Sequence, residues 1–118
     1  MISKDFAQKF SWDWVDSWNS HDLDRILTHY SDDFEMNSPL IVKRVGKPDG
    51  KLIGKAQVAA YWAGAFEAYP NLTFQLKNIF VGPTSITILY IGASGGLVTE
   101  TFIFNSELYV VQAYANYE

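Results

Sequence analysis

The sequence has 118 residues, of which 48% are hydrophobic and 16% aromatic, and its formal net charge is −4. A chain of this length predicts one domain, residues 1–118, and its basic residues form no long run, which argues against nucleic acid or an anionic membrane as the partner. Because there is no cysteine, disulfides, thiol chemistry and zinc held by thiolates are excluded. Small molecules and proteins remain as candidate partners.

The pattern of apolar residues predicts a cytoplasmic protein. Residues 1–5 lack the apolar run of a signal peptide, and about 18 consecutive apolar residues, the length that spans a bilayer, occur nowhere. We therefore expect no membrane contact.

Two helices are predicted in the first 30 residues. Aromatic residues recur at four-residue steps over residues 4–19, which indicates an amphipathic helix. They are Phe6, Phe10, Trp14 and Trp18. Asp22 suits the N-cap of a second helix that runs to about Tyr30 and ends at residues 31–33.

The middle of the chain predicts a strand and a basic excursion. Phe34, Met36 and Ser38 alternate with polar residues, which is strand periodicity, and Pro39 marks its end. Residues 40–54 predict a hairpin-like excursion with a tight turn at residues 47–50. Five of the nine basic residues lie in or just after it: Lys43, Arg44, Lys47, Lys51 and Lys55. This segment is either a solvated hairpin or the rim of a cavity mouth that attracts an anionic ligand.

A third helix and four strands complete the prediction. Residues 54–69 have helical periodicity, and Pro70 stops the helix. The strands are expected at residues 72–81, 85–92, 97–105 and 108–117, with residues 92–96 as a hairpin turn. The fold class is therefore α+β, with three N-terminal helices packed on a curved, mostly antiparallel sheet.

One acid stands on an apolar strand face. Val98, Glu100, Phe102 and Phe104 share a face of the strand at residues 97–105, because successive side chains alternate. An ionised acid in such surroundings needs a hydrogen-bond donor, a raised pKa or a polar cavity. We expect Glu100 to line a cavity and to carry a raised pKa as a consequence. The alternatives are an acid satisfied by a neighbouring Tyr, Trp or backbone N–H, or one turned outward by a bulge.

The order of the predicted elements is that of the nuclear transport factor 2-like fold. Within that order, several segments resemble the bacterial ketosteroid isomerases and the SnoaL-like polyketide cyclases. They are residues 14–24 (WVDSWNSHDLD), 31–33 (SDD), 38–39 (SP), 100–105 (ETFIFN) and 109–111 (YVV). The resemblance spans nearly the whole chain and implies that helices and sheet form a cone with an internal cavity.

The isomerase roles carry over only in part. The catalytic tyrosine's position falls on Trp14, which can still donate one hydrogen bond, and a further pocket tyrosine falls on Trp62. The base position falls on Ser38, whose unassisted hydroxyl cannot remove a carbon-bound proton at neutral pH. The protonated acid falls on Glu100, where the chemical type is kept. We therefore expect no true steroid isomerase activity.

The resulting hypothesis is a small enzyme without cofactor or metal that encloses an apolar, cyclic or polyketide-like molecule in an aromatic cavity. Its catalytic candidates are Glu100 as acid or base, with Trp14 and Ser38 orienting the substrate by hydrogen bonds. The expected ligand-binding residues are Trp18, Tyr30, Phe34, Met36, Trp62, Phe66, Tyr90, Phe102 and Ala113. The alternative is a non-catalytic ligand-binding or dimerisation module, which a Glu100 locked by internal hydrogen bonds would favour.

Two further expectations concern the surface. His21 and His29 are predicted to be solvent-facing, and neither belongs to a metal-ligand pattern. The outer face of the sheet mixes apolar and polar residues, which predicts a homodimer through the sheet, as the resemblance also implies. These residues are Thr101, Ile103, Gln112, Tyr114 and Asn116.

Overall fold

The computed structural model describes residues 1–118 and contains four helices and six strands. The helices are α1 (Lys4–Asn19), α2 (Leu23–Leu27), α3 (Pro39–Val45) and α4 (Lys55–Ala68). The strands are β1 (Tyr30–Asn37), β2 (Lys51–Ile53), β3 (Gln75–Val81), β4 (Ser85–Ile91), β5 (Leu97–Phe104) and β6 (Val110–Tyr117). The α+β class is confirmed, but the prediction of three helices is wrong, because there are four. No helix combines the length and the apolar character that crossing a bilayer requires.

The six strands form one open sheet in the order β2-β1-β6-β5-β4-β3. Every neighbouring pair is antiparallel except β1 and β6, so the prediction of a mostly antiparallel sheet is confirmed. Register shifts interrupt the pairing of β1 with β6, of β3 with β4 and of β5 with β6. Since such bulges bend a strand and increase its twist, they curve the sheet around the helices.

Helix α1 supplies one wall of the aromatic core, as its periodicity predicts. The Ser3 hydroxyl accepts a hydrogen bond from the Phe6 N–H at 3.0 Å and caps the helix. Its buried face carries Phe10, Trp14 and Trp18. Phe10 packs edge-to-face against Phe102, with ring centroids 4.9 Å apart. This packing holds α1 against the concave face of the sheet.

The second helix is shorter than predicted. It ends at Leu27, and Tyr30 begins β1 opposite Val110 of β6. Residues 31–33 therefore belong to the strand, where the register shift lies. Pairing with a strand 80 residues later decides the conformation here, which local periodicity cannot reveal.

The predicted hairpin-like excursion is wrong in its first half, which is helix α3. The Ser38 hydroxyl caps this helix by accepting from the Leu40 N–H at 3.2 Å, and Pro39 occupies the first turn, where no N–H is needed. Buried Ile41 fixes the helix against the core. The tight turn follows, with the Gly50 N–H donating to the Lys47 carbonyl at 3.0 Å, and β2 returns to pair with β1.

Both histidines are partly exposed at the surface, but each also contacts a neighbouring element that the sequence does not predict. One ring nitrogen of His29 lies 2.7 Å from an Asp13 carboxylate oxygen, and its ring packs against Phe10. Burial lowers the pKa of His29, although Asp13 partly offsets this effect. His21 lies 2.9 Å from the Leu72 carbonyl oxygen and stacks on Phe66.

Candidate functional site

A pocket lies between the helices and the concave face of the sheet. It is lined mostly by apolar and aromatic residues of α1, α3, α4, β4 and β5, and its volume is about 140 Å³. A cavity of roughly 150 Å³ holds one benzene molecule. The enclosed space therefore suits one six-membered ring, and a larger ligand would extend through the mouth.

Glu100 lies in this pocket on β5 and is 3% exposed. Its strand pairs with β4 on one side and β6 on the other, so the backbone is held firmly in the middle of the sheet. The Tyr90 hydroxyl donates to Glu100 Oε1 at 3.0 Å. Tyr90 is the one side-chain donor to this carboxyl group, so the second oxygen, Oε2, has no such partner. One carboxyl oxygen is thus held internally and the other is left for a ligand.

The surroundings of Glu100 make it easy to protonate. Burial raises its pKa from 4.5 to about 7, although the hydrogen bond from Tyr90 lowers it in part. Both the acid and the carboxylate are then populated near neutral pH. This is the condition under which a side chain can serve as general acid and as general base.

The other two catalytic candidates line the pocket but have internal partners. Trp14 Nε1 donates to the Tyr30 hydroxyl at 2.9 Å, so its one N–H is already used in the core. The Ser38 hydroxyl oxygen caps α3 by accepting a hydrogen bond from the backbone N–H of Leu40. Serine side chains often bond to nearby backbone groups in this way. Neither side chain is a base, and Glu100 is the one carboxyl group in the pocket.

A different indole N–H is free. Trp18 lines the pocket, and its Nε1 is buried without a hydrogen-bond partner. A buried donor left unpaired is costly, and since this nitrogen has almost no accessible surface, an oxygen of a ligand or a bound water would pair with it only after the indole shifts. The sequence contains no signal that separates this tryptophan from Trp14, since both occupy the buried face of α1.

Four of the nine expected ligand-binding residues line the pocket and five do not. Those at the pocket are Trp18, Met36, Trp62 and Tyr90. The five that pack outside its lining are Tyr30, Phe34, Phe66, Phe102 and Ala113. Tyr30 and Phe34 lie against each other, with ring centroids 4.3 Å apart, and both contact Trp62 from behind. They support the pocket wall without facing the space.

The lining also contains residues that the sequence analysis does not single out. They include Tyr61, Tyr69, Phe74, Tyr117 and residues 92–94 of the hairpin turn. Strand alternation could have found Tyr117, because it shares a face of β6 with Ala113 and Ala115. Arg44 is the one basic residue that lines the pocket. Of the two alternatives for the basic excursion, a solvated hairpin or the rim of the cavity mouth, its position fits the rim. No three His, Asp or Glu side chains gather closely enough to hold a metal ion.

Comparison with known proteins identifies the relatives of this architecture. Residues 13–103 match the sequence profile of a SnoaL-like domain. A SnoaL-like protein of unknown function from Burkholderia thailandensis is 49% identical, with a TM-score of 0.97 over 99% of this chain and 98% of that one.

More distant structures share the fold at lower identity. A Mycobacterium tuberculosis protein in complex with estradiol-17β-hemisuccinate is 22% identical, with a TM-score of 0.73 over 95% of this chain and 93% of that one. AclR from Streptomyces galilaeus, a hydroxylase candidate, is 18% identical, with a TM-score of 0.75 over 98% of this chain and 77% of that one. No curated protein matches the sequence.

Proposed function

Because the chain belongs to the SnoaL-like domain family, we propose that its pocket binds a small apolar, cyclic molecule and that Glu100 transfers a proton on it. The membership confirms the resemblance predicted from the sequence. The observation that carries the proposal is Glu100 itself, a buried carboxyl group in an aromatic pocket with one oxygen free of internal partners. The reaction class is that of an isomerase or cyclase, without a cofactor.

The chemistry needs one group that both takes and returns a proton. Glu100 Oε2, as carboxylate, removes a proton from a ring carbon made acidic by a neighbouring carbonyl group. The resulting carboxylic acid then returns the proton to another atom of the same ring system, so protons and electrons balance without a co-reactant. A pKa of about 7 suits both halves of this cycle. The free N–H of Trp18 is the candidate donor to the substrate oxygen that becomes more negative.

The substrate is proposed to be smaller than a steroid. The steroid derivative held by the mycobacterial neighbour supports a cyclic ligand on this fold. The pocket of about 140 Å³, however, accommodates about one ring. The serine at the position of the isomerase base is engaged as a helix cap, which also argues against steroid isomerisation.

A specific contact favours the non-catalytic alternative as a second candidate. The hydrogen bond from Tyr90 satisfies one oxygen of Glu100 from within the protein, as in a structural acid. The pocket also holds no second carboxyl group or histidine. In this alternative the protein binds the same ring compound and releases it unchanged.

Filling the pocket should abolish ligand binding without changing Glu100. Ala65 lines the pocket on α4, and Ala65→Trp places an indole in the space that a ring would occupy. We expect the affinity for a naphthalene-type probe, followed by tryptophan fluorescence, to fall at least about tenfold. Ala60→Trp is the matched control, because Ala60 is exposed on the same helix. Unchanged affinity in Ala65→Trp would show that the ligand binds elsewhere.

We propose that the outer face of the sheet forms a homodimer. Thr101, Ile103 and Tyr114 on this face are partly exposed, which leaves apolar surface for a second copy. Light scattering at micromolar concentration should give twice the mass of one chain, and Ile103→Arg should give a single chain, because a cation cannot be buried there without a partner. A monomeric wild-type protein would contradict this.

A further inference from the structure

The mouth of the pocket has a single positive charge. Arg44 is in the last turn of α3, and its guanidinium lies over the Tyr69 ring, 5.6 Å from the ring centroid. Both residues line the pocket. The stacking holds the guanidinium at the rim while leaving its N–H groups free to donate in the plane of the group.

No carboxylate of the protein neutralises this charge. The ion pairs of the chain involve Arg25, His29, Lys51 and Lys55, and none of them includes Arg44. Arg44 also donates no side-chain hydrogen bond to another residue. An arginine whose five N–H donors are unused at the entrance to a pocket is suited to a carboxylate or a similar planar anion.

Two phenol groups extend the polar rim. Tyr61 of α4 and Tyr117 of β6 both line the pocket. Burial raises the pKa of each, while the Ser38 hydroxyl and the Arg44 charge lower it in part. Both hydroxyls therefore stay protonated at neutral pH and can donate, and both lie within the electrostatic influence of Arg44.

The negatively charged group of the pocket, Glu100, is buried more deeply than Arg44. Glu100 is the one acid of the lining and Arg44 the one base. A ligand anion is attracted to Arg44 and repelled by the carboxylate of Glu100, so the two charges together fix its orientation. The apolar ring enters the aromatic interior, and the anionic group stays at the mouth.

We infer that the ligand is an organic anion, with one ring inside the pocket and a carboxylate or enolate held at the mouth by Arg44, Tyr61 and Tyr117. This rests on the proposed function, namely that the pocket takes a ring compound, and adds the charge and the orientation of that compound. The lysines of the excursion do not line the pocket and have no part in this contact.

The test compares 2-naphthoate with its neutral isostere 2-naphthamide. Binding is followed by quenching of tryptophan fluorescence at about pH 6, where the naphthoate is ionised and Glu100 is largely protonated. We expect the wild-type protein to bind the carboxylate about tenfold more tightly than the amide, as one charge-assisted hydrogen bond implies. Arg44→Gln should remove this preference, because glutamine keeps neutral hydrogen-bonding groups but loses the charge. Lys43→Gln, the matched control, changes the net charge equally and should keep the preference.

The possible results separate the inference from the proposed function. If both probes bind equally in the wild-type protein, or if the preference survives Arg44→Gln, the anion site is wrong while ring binding stands. If neither probe binds, and benzoate, which has the one ring that the cavity holds, does not bind either, the proposed function is wrong and the inference fails with it. A preference that weakens as salt is added would further support a charge contact at the exposed rim.

Discussion

Replacing Glu100 with glutamine should slow proton transfer by about 100-fold or more while leaving the fold intact. Glutamine has the same shape and can still accept the hydrogen bond from Tyr90 through its carbonyl oxygen. It cannot take up a proton from carbon, however, so the chemical step is lost. The measurement is exchange of ring protons for deuterium in small cyclic ketones dissolved in heavy water, followed by proton NMR.

The control for this experiment is a carboxylate outside the pocket. Glu107 lies exposed in the turn between β5 and β6, and Glu107→Gln should exchange protons at the wild-type rate. Wild-type exchange in Glu100→Gln would exclude Glu100 as the acid or base. A wild-type protein that binds the ketones and exchanges none of their protons would favour the non-catalytic alternative.

Increasing pH should destabilise the wild-type protein through Glu100. Its pKa is raised from 4.5 to about 7 on folding, because the folded protein favours the neutral acid. The contribution of protonated Glu100 to the stability of the folded protein is complete below about pH 4.5, and it is lost as the pH rises through about 7. The shift corresponds to about 3 kcal/mol in the free energy of unfolding. Urea unfolding at a series of pH values between about 4.5 and 8 measures it.

Glu100→Gln isolates this effect from the rest of the molecule. His29 acts in the opposite direction, since its lowered pKa means that its contribution is lost as the pH falls. His29 is present in both proteins and cancels in the comparison. The stability of the variant relative to the wild type should therefore increase by about 3 kcal/mol as the pH rises across this range. A constant difference would mean that the pKa of Glu100 is not raised.

The two histidines and Ser38 show which contacts a local sequence pattern does not reveal. His29 is off the apolar stripe of the predicted second helix, which favours the surface, but in the structure it follows the end of α2 and contacts Asp13 of α1. Ser38 alternates with buried residues and faces the pocket as this pattern predicts, while its hydroxyl is held by a backbone N–H of α3. In both of these cases the hydrogen-bond partner lies in another helix, so the periodicity of the local segment cannot reveal it.

The aromatic residues show the same limit within the site. Periodicity correctly places Trp14, Trp18, Trp62 and Tyr90 on buried faces, because burial follows from the repeat of the helix or strand alone. It cannot tell which rings border an empty space and which pack against other rings. Phe34 and Phe102 are fully buried in the core, while their neighbours Trp62 and Trp14 line the pocket.

The sequence by itself determined the α+β class, helix α1, the strands β4 to β6 and the inward direction of Glu100. These follow from side-chain periods of 3.6 and 2, which are properties of the local backbone. Only the tertiary structure decided the parallel pairing of β1 with β6, the helix in the basic excursion and the unpaired N–H of Trp18. It also brought Arg44 to the mouth of the pocket that holds Glu100. These features depend on contacts between residues far apart in the chain, and such contacts leave no periodic signal in the sequence.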